Sequence, residues 1–255
     1  MLGWNLDLDG CTFEGEANFY GSIFEANGNF VGSTFEKKAN FYGAIFEVGA
    51  NFMDSTFNEA ADFRECIFNG SLSFWKSTFS SDASFWESEF NMDFVTFRYA
   101  KFKIPWHQES ACMRAKMALE KSGDREEAGY HFYREMDAKR KLKPWYIRFP
   151  ELVFIQWVFG YGVHPLRLWG CWLGFVGIFA LLFWYYQGID EIASQMNTTA
   201  TVRDYIWFSI ATAVTPGYAG YKPTPDFKLV AGLEAIIGTF MWAAFIATFS
   251  RKYMR

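Results

Sequence analysis

Phenylalanine falls at residues 13, 19, 24, 30, 35, 41, 46, 52, 57, 63, 68, 74, 79, 85 and 90, with gaps that alternate six and five. Two such gaps make an eleven-residue unit, visible as ANFYGSIFEAN, GNFVGSTFEKK, ANFYGAIFEVG and ANFMDSTFNEA. The residue two positions before each of these phenylalanines is Ala, Ser, Gly or Cys in every case but Leu72. Neither a period of 3.6 nor a period of 2 produces this pattern, so an amphipathic helix and a simple hairpin array are both excluded. A short fixed period means a solenoid, in which each coil buries its residues only by stacking on the next. One large and one small inward side chain per face is what a narrow solenoid has room for.

The pattern resembles the Phe-rich, eleven-residue variant of the pentapeptide-repeat family over residues 11–102. That resemblance implies a right-handed quadrilateral β-helix with Phe and the small residue pointing inward. After Phe90 the spacing slips to Phe94, Phe97 and Phe102, which reads as a fraying end or a cap. Residues 1–102 hold 15 acidic and 6 basic side chains, a net −9 within a chain of net −4. Glu14, Glu25, Glu36 and Glu47 follow the eleven-residue period, as a solvated outer face would. Some members of that family mimic DNA and inhibit gyrase, and an acidic solenoid is compatible with this. A rigid spacer or assembly surface is the favoured reading. No basic footprint for nucleic acid is present.

Pro105 closes the repeat. Helical periodicity then runs over 109–121, stops at Ser122-Gly123, and resumes after a capping Asp124 to about Leu142. The stretch with Gly123, Tyr130 and Tyr133 resembles a TPR-type hairpin, read here as a linker over 105–144. His107, His131 and His164 share no metal-like spacing. Cys11, Cys66, Cys112 and Cys171 are scattered and read as structural thiols. There is no nucleophile–base set, no phosphate-binding glycine loop and no metal cluster, so neither an enzyme nor a resident cofactor is expected. Met1 leads into Asp7 and Asp9 and not into a basic-then-apolar stretch, so no signal peptide is expected before residue 10.

Residues 145–166 are aromatic and apolar but interrupted by Arg148, Glu151 and Gln156. They read as an interfacial helix. Two membrane-length runs follow in a domain over 167–255. Leu168–Tyr186 is 19 residues without a charge, and Leu229–Ser250 is 22 residues with Glu234 alone. Arg134, Lys139, Arg140, Lys141, Lys143 and Arg148 precede the first run; Arg251, Lys252 and Arg255 follow the second. The loop 187–228 has only Arg203, Lys222 and Lys228. Positive charge therefore places both termini in the cytoplasm of a multi-pass protein of the plasma or bacterial inner membrane.

Within that loop, residues 204–214 are apolar enough to re-enter a membrane and too short to cross it, and Thr215-Pro216-Gly217-Tyr218-Ala219 comes next. The order helix, re-entrant pore helix, Thr-x-Gly-Tyr, helix resembles the two-transmembrane potassium channels across residues 168–250. The resemblance implies a homotetramer with the backbone of Thr215, Pro216, Gly217, Tyr218 and Ala219 as selectivity filter, carbonyl oxygens replacing an ion's hydration shell. It implies that Trp207 and Phe208 brace the filter, that Thr212 supports it, and that Gly238 is an inner-helix hinge, or else a packing glycine. Phe240, Ala243 and Ala247 would face the cavity. Permeant ions would be monovalent cations, K+ first and Na+ second. Pro216, Ala219 and Gly220 depart from the family's Val, Gly and Asp. A non-selective or calcium-permeable pore therefore remains open, as do an anion pore and a non-conducting membrane scaffold carrying a cytoplasmic partner on the solenoid. Glu234, an intramembrane carboxyl, is expected to brace the filter from behind.

Overall fold

The computed structural model describes residues 6–91, 94–158, 160–162, 165–192, 200–215 and 220–253, in two compact units, 1–152 and 153–255.

Among the described residues of the first unit, eighteen strands of two or three residues form four parallel sheets. Strand partners are 22 residues apart, as in Ala17↔Ala39, Ile23↔Ile45 and Thr34↔Thr56. The eleven-residue sequence unit is therefore half a coil, two of the four faces. Each phenylalanine sits on its counterpart one coil away. Phe13, Phe35, Phe57 and Phe79 stack at centroid spacings of 4.7, 4.7 and 4.9 Å, and Phe30, Phe52 and Phe74 at 4.8 Å. These spacings equal the distance between paired strands, so the backbone ladder and the aromatic columns share one repeat. The small residues fill what remains: Ala39, Ala44, Ser55, Cys66 and Ser77 have no exposed surface. The buried hydroxyls are satisfied, Ser77 Oγ donating to the Phe74 and Phe52 carbonyls at 2.7 and 3.0 Å. Glu14, Glu25, Glu36 and Glu47 are all exposed.

One corner in two requires a left-handed backbone, and it recurs every eleven residues: Gly10, Gly21, Gly32, Gly43, then Asp54, Glu65, Lys76 and Glu87, all with φ between 54° and 66°. The first four positions are glycine, the residue that adopts this conformation without penalty. The other four are not.

The slip after Phe90 is an insertion of one residue and not a frayed end. Partners change from 22 to 23 apart, as in Leu72↔Val95 and Thr78↔Lys101. The columns continue across it, with Phe97 5.0 Å from Phe74 and Phe102 4.6 Å from Phe79. Only the column ending at Phe90 is disturbed: Phe90 turns 75° to Phe68.

Helix α1 (Pro105–Ser122) starts with proline at its first turn. It ends at Gly123 in the left-handed conformation, and Asp124 accepts from the Glu127 N–H to start α2 (Arg125–Leu142). This hairpin closes the open end of the solenoid, a role the sequence reading as a plain linker missed. His131 has no exposed surface; its Nε2 accepts from the Phe97 N–H at 3.0 Å and its Nδ1 donates to the Glu127 carbonyl at 2.8 Å. Arg134 donates to the Phe97 carbonyl at 2.7 Å, the Tyr130 hydroxyl takes the Tyr99 N–H at 3.0 Å, and Arg114 reaches the Ser88 carbonyl at 3.0 Å. The last coil has no further coil to pair with, and the hairpin supplies those partners from side chains. His107 pairs with Asp82 at 3.1 Å; His164 lies outside the described residues.

Over residues 145–166 the backbone is not one helix. A six-residue α3 (Trp145–Pro150) passes into a π-helical stretch, Glu151–Val158, and a 3-10 turn, Gly160–Gly162. The change follows Pro150, which removes one N–H from the ladder. Trp145, Tyr146 and Phe149 are exposed.

The second unit contains α4 (Pro165–Tyr185), α5 (Val202–Val214) and α6 (Lys228–Tyr253). Among its described residues, two stretches are long and apolar enough to cross a membrane, Leu166–Tyr185 and Pro225–Ser250. An antiparallel ribbon, Ile189–Glu191 with Tyr221–Pro223, joins the chain just after α4 to the chain just before α6.

Candidate functional site

The site is organised by α5. Thr201 and Asp204 form a reciprocal capping box at its N-terminus. At 13 residues α5 is about 20 Å long, short of a membrane crossing. The contacts along it fix its direction. Phe208 meets Phe183 edge-on at 5.1 Å, Ser209 meets Val176, and Ala213 shares a core with Trp172 and Leu168. Numbers rise on α5 while they fall on α4, so the two are antiparallel. Against α6, Ser209 meets Glu234 and Ala213 meets Gly238, so that pair runs parallel.

Glu234 is completely buried, and its Oε1 is hydrogen-bonded to Ser209 Oγ. The same hydroxyl lies 2.9 Å from the Val176 carbonyl. One serine thus touches both of the longer helices. Four residues on, a Cβ placed on Gly238 would stand 2.7 Å from Ala213 Cα, Cβ and O. Between the two readings of Gly238, its surroundings are those of a packing glycine: α5 approaches α6 closely here because the side chain is absent.

Thr215 ends the helix in an extended conformation (φ −135°, ψ 133°), and its hydroxyl donates to the Ala211 carbonyl at 3.1 Å. Pro216, Gly217, Tyr218 and Ala219 lie outside the described residues. The chain is described again from Gly220, whose φ of +83° lies in the left-handed region that glycine adopts without penalty. The Gly220 carbonyl accepts from the Ile192 N–H at 3.0 Å. Across the ribbon Lys222 faces Asp190 and Tyr221 faces Glu191.

The two aromatic residues expected to act as a pair point apart: Phe208 is fully buried within the unit and Trp207 is 56% exposed. Thr212 is buried. Phe240, Ala243 and Ala247 lie on an exposed face of α6, where Ala235, Ile236, Thr239, Phe240 and Ala243 line a shallow apolar recess. Ser209 was not singled out from the sequence. Its signal was the polar spacing Ser209, Thr212, Thr215 on an otherwise apolar helix, which puts successive hydroxyls on one side. Among the described residues no group of His, Cys, Asp and Glu could hold a metal ion.

Comparison with known families places two matches on the chain. Pentapeptide repeats (9 copies) match residues 2–45 and 41–89, and the family described as ion channel matches residues 167–255. No curated protein and no solved structure matches.

Proposed function

We propose that this fusion of pentapeptide repeats with an ion channel domain assembles as a homotetramer around a potassium-channel-like cation pore. Its filter would be Thr215, Pro216, Gly217, Tyr218 and Ala219, with the solenoid cytoplasmic and serving assembly or gating. The observation that carries the reading is the clamped α5. A helix too short to cross a membrane runs back between two helices long enough to do so, and it delivers Thr215 at its end. Non-helical backbone at membrane depth is tolerated only where protein or a water-filled cavity surrounds it. The apolar surface left open on a single copy, Trp207 on α5 with Ile236 and Phe240 on α6, supports coverage by further copies or lipid. Glu234, through Ser209, would hold α5 in place behind the filter.

Pro216 and Ala219 keep a non-selective cation pore as the second reading. Proline deletes an N–H that would hold the filter's shape, and alanine in a left-handed position costs about 1–2 kcal/mol in each subunit. The positive charge of Lys222 close to the filter segment would favour an anion pore, but its ribbon partner is Asp190, which weakens that reading. Purified protein in planar bilayers, under potassium, sodium, calcium and chloride gradients, tests all of these. Reversal near the potassium potential is expected. Reversal that follows chloride removes the cation pore, and no current under any gradient leaves a membrane-anchored scaffold.

A further inference from the structure

The chain leaves α5 at Thr215 and is described again at Gly220. Each of these two points is held, and by different means. The Thr215 N–H and hydroxyl donate to the Ala211 carbonyl at 2.9 and 3.1 Å, which fixes that end to α5. The Gly220 carbonyl instead accepts from the Ile192 N–H at 3.0 Å. At the other end of the same ribbon the Thr224 N–H donates to the Gly188 carbonyl at 3.0 Å. Between these two bonds lie the pairs Ile189↔Pro223, Asp190↔Lys222 and Glu191↔Tyr221. The ladder therefore continues one residue beyond the strands at each end and reaches the first described residue after the filter segment.

A two-stranded ribbon is marginal by itself, and this one is seated on the helices. Its side chains alternate as a half-buried strand pair requires: Ile189 and Pro223 are buried, whereas Asp190 and Lys222 are exposed. Ile189 shares a core with Phe183 of α4, Tyr205 and Phe208 of α5 and Ala231 of α6, and Tyr221 packs against it. Gly188 is pinched where the ribbon leaves α4: a Cβ there would stand 2.9 Å from the Phe227 ring and 3.1 Å from the Phe183 ring. A close-packed core resists opening, so the ribbon keeps its place relative to α5. We propose that the ribbon is a second positioning element for residues 216–219, fixing through Ile192 and Gly220 the end that α5 does not hold. Ile189 and Tyr221 are its positioning side chains, and the Ile192 N–H is its point of attachment. The assignment rests on the pore reading only in taking 216–219 as a filter.

The Ile192 side chain is 55% exposed, so substitution there tests the N–H with little change in packing. Ile192→Pro deletes the donor and Ile192→Ala keeps it. Amide hydrogen exchange is measured on both variants and the parent, full-length and in nanodiscs. With the ribbon as anchor, Ile192→Pro speeds exchange at residues 217–219 by about two- to tenfold, the weight of one hydrogen bond. Ile192→Ala leaves that exchange at the parent rate, and the amides of α4 and α6 are unchanged in both. Exchange at 217–219 that is equal in the two variants, or already unprotected in the parent, overturns the proposal. If Ile192→Pro does not fold, Asp190→Gly, which loosens the ribbon at an exposed position, is read in its place. In planar bilayers the unitary conductance or the relative permeabilities should change in Ile192→Pro and not in Ile192→Ala. Identical values in two conducting variants overturn the proposal. No current from the parent removes the pore reading, and hydrogen exchange then decides the anchoring alone.

Discussion

Ser209 on α5 and Glu234 on α6 are joined by a buried hydrogen bond, and the same serine hydroxyl reaches the Val176 carbonyl on α4. The one hydroxyl thus lies within hydrogen-bond reach of an acceptor on each of the two longer helices. Both interactions end on the helix that leads into Thr215.

Ser209→Ala removes the contact to both helices at once and leaves the Glu234 carboxyl without its one described partner. The expected loss is about 1–3 kcal/mol, the cost of an unsatisfied buried polar group, read as a lower Tm of the full-length protein. Ser209→Thr keeps the hydroxyl and should retain most of the stability. An alanine variant as stable as the parent would mean that the serine bridges nothing of consequence.

Two glycines on α6 separate close packing from helix propensity. Gly238→Ala drives a methyl group to 2.7 Å from Ala213 backbone, so α5 must shift. The expected cost is about 1–3 kcal/mol, together with altered ion selectivity if α5 positions a filter. A Cβ on Gly232 meets nothing within 4 Å in one copy. Gly232→Ala should be neutral or slightly stabilising, because alanine is the better helix former. Thermal unfolding of the two variants side by side checks the contrast.

In the solenoid, the left-handed corners allow a test in both directions. A Cβ on Gly43 has open space around it, so Gly43→Ala carries only the backbone penalty, about 1–2 kcal/mol. Asp54 holds the same conformation (φ 55°) one half-coil later with an exposed side chain. Asp54→Gly relieves that strain but gives the unfolded chain more freedom, and should gain less than about 1 kcal/mol. Denaturant unfolding followed by circular dichroism measures both. Equal and negligible effects would show that the corners are not conformationally restricted.

The solenoid was legible because its constraint is local and repeated: Phe13 already predicts Phe35, one coil further on. Its physical coil was not, since an eleven-residue sequence unit fits two faces as well as one whole turn. Only the 22-residue register separates them. The one-residue insertion after Phe90 looked like decay because a sequence period cannot show that Phe97 returns to the column of Phe74. In the second unit, lengths and apolar runs revealed α4, α5 and α6, while Ser209 stayed hidden. A serine in a helix carries no mark of its partner, and Glu234 lies 25 residues away. His131 was equally mute, because a histidine that accepts a backbone N–H looks in sequence like any surface histidine.

His131 makes the capped end of the solenoid sensitive to acid. Its Nε2 accepts from the Phe97 N–H while Nδ1 donates to the Glu127 carbonyl, so both ring nitrogens are committed in the neutral form. A proton on Nε2 would face an N–H. Burial pushes the imidazole down from 6.5 to about 4, with Arg134 and Arg98 adding to the effect and the Glu127 carbonyl opposing it. The unfolded chain takes up a proton near pH 6.5, whereas the folded one resists until about pH 4. The stabilisation is therefore complete above pH 6.5, declines as pH falls from 6.5 towards 4, and is lost below that. Over the window the change is up to about 3 kcal/mol. Denaturant midpoints of the first unit's transition at pH 7, 5.5 and 4.5 should fall in that order. His131→Gln should be less stable at pH 7 and much less dependent on pH across the same range. A variant that retains the full slope would assign the acid sensitivity to another group.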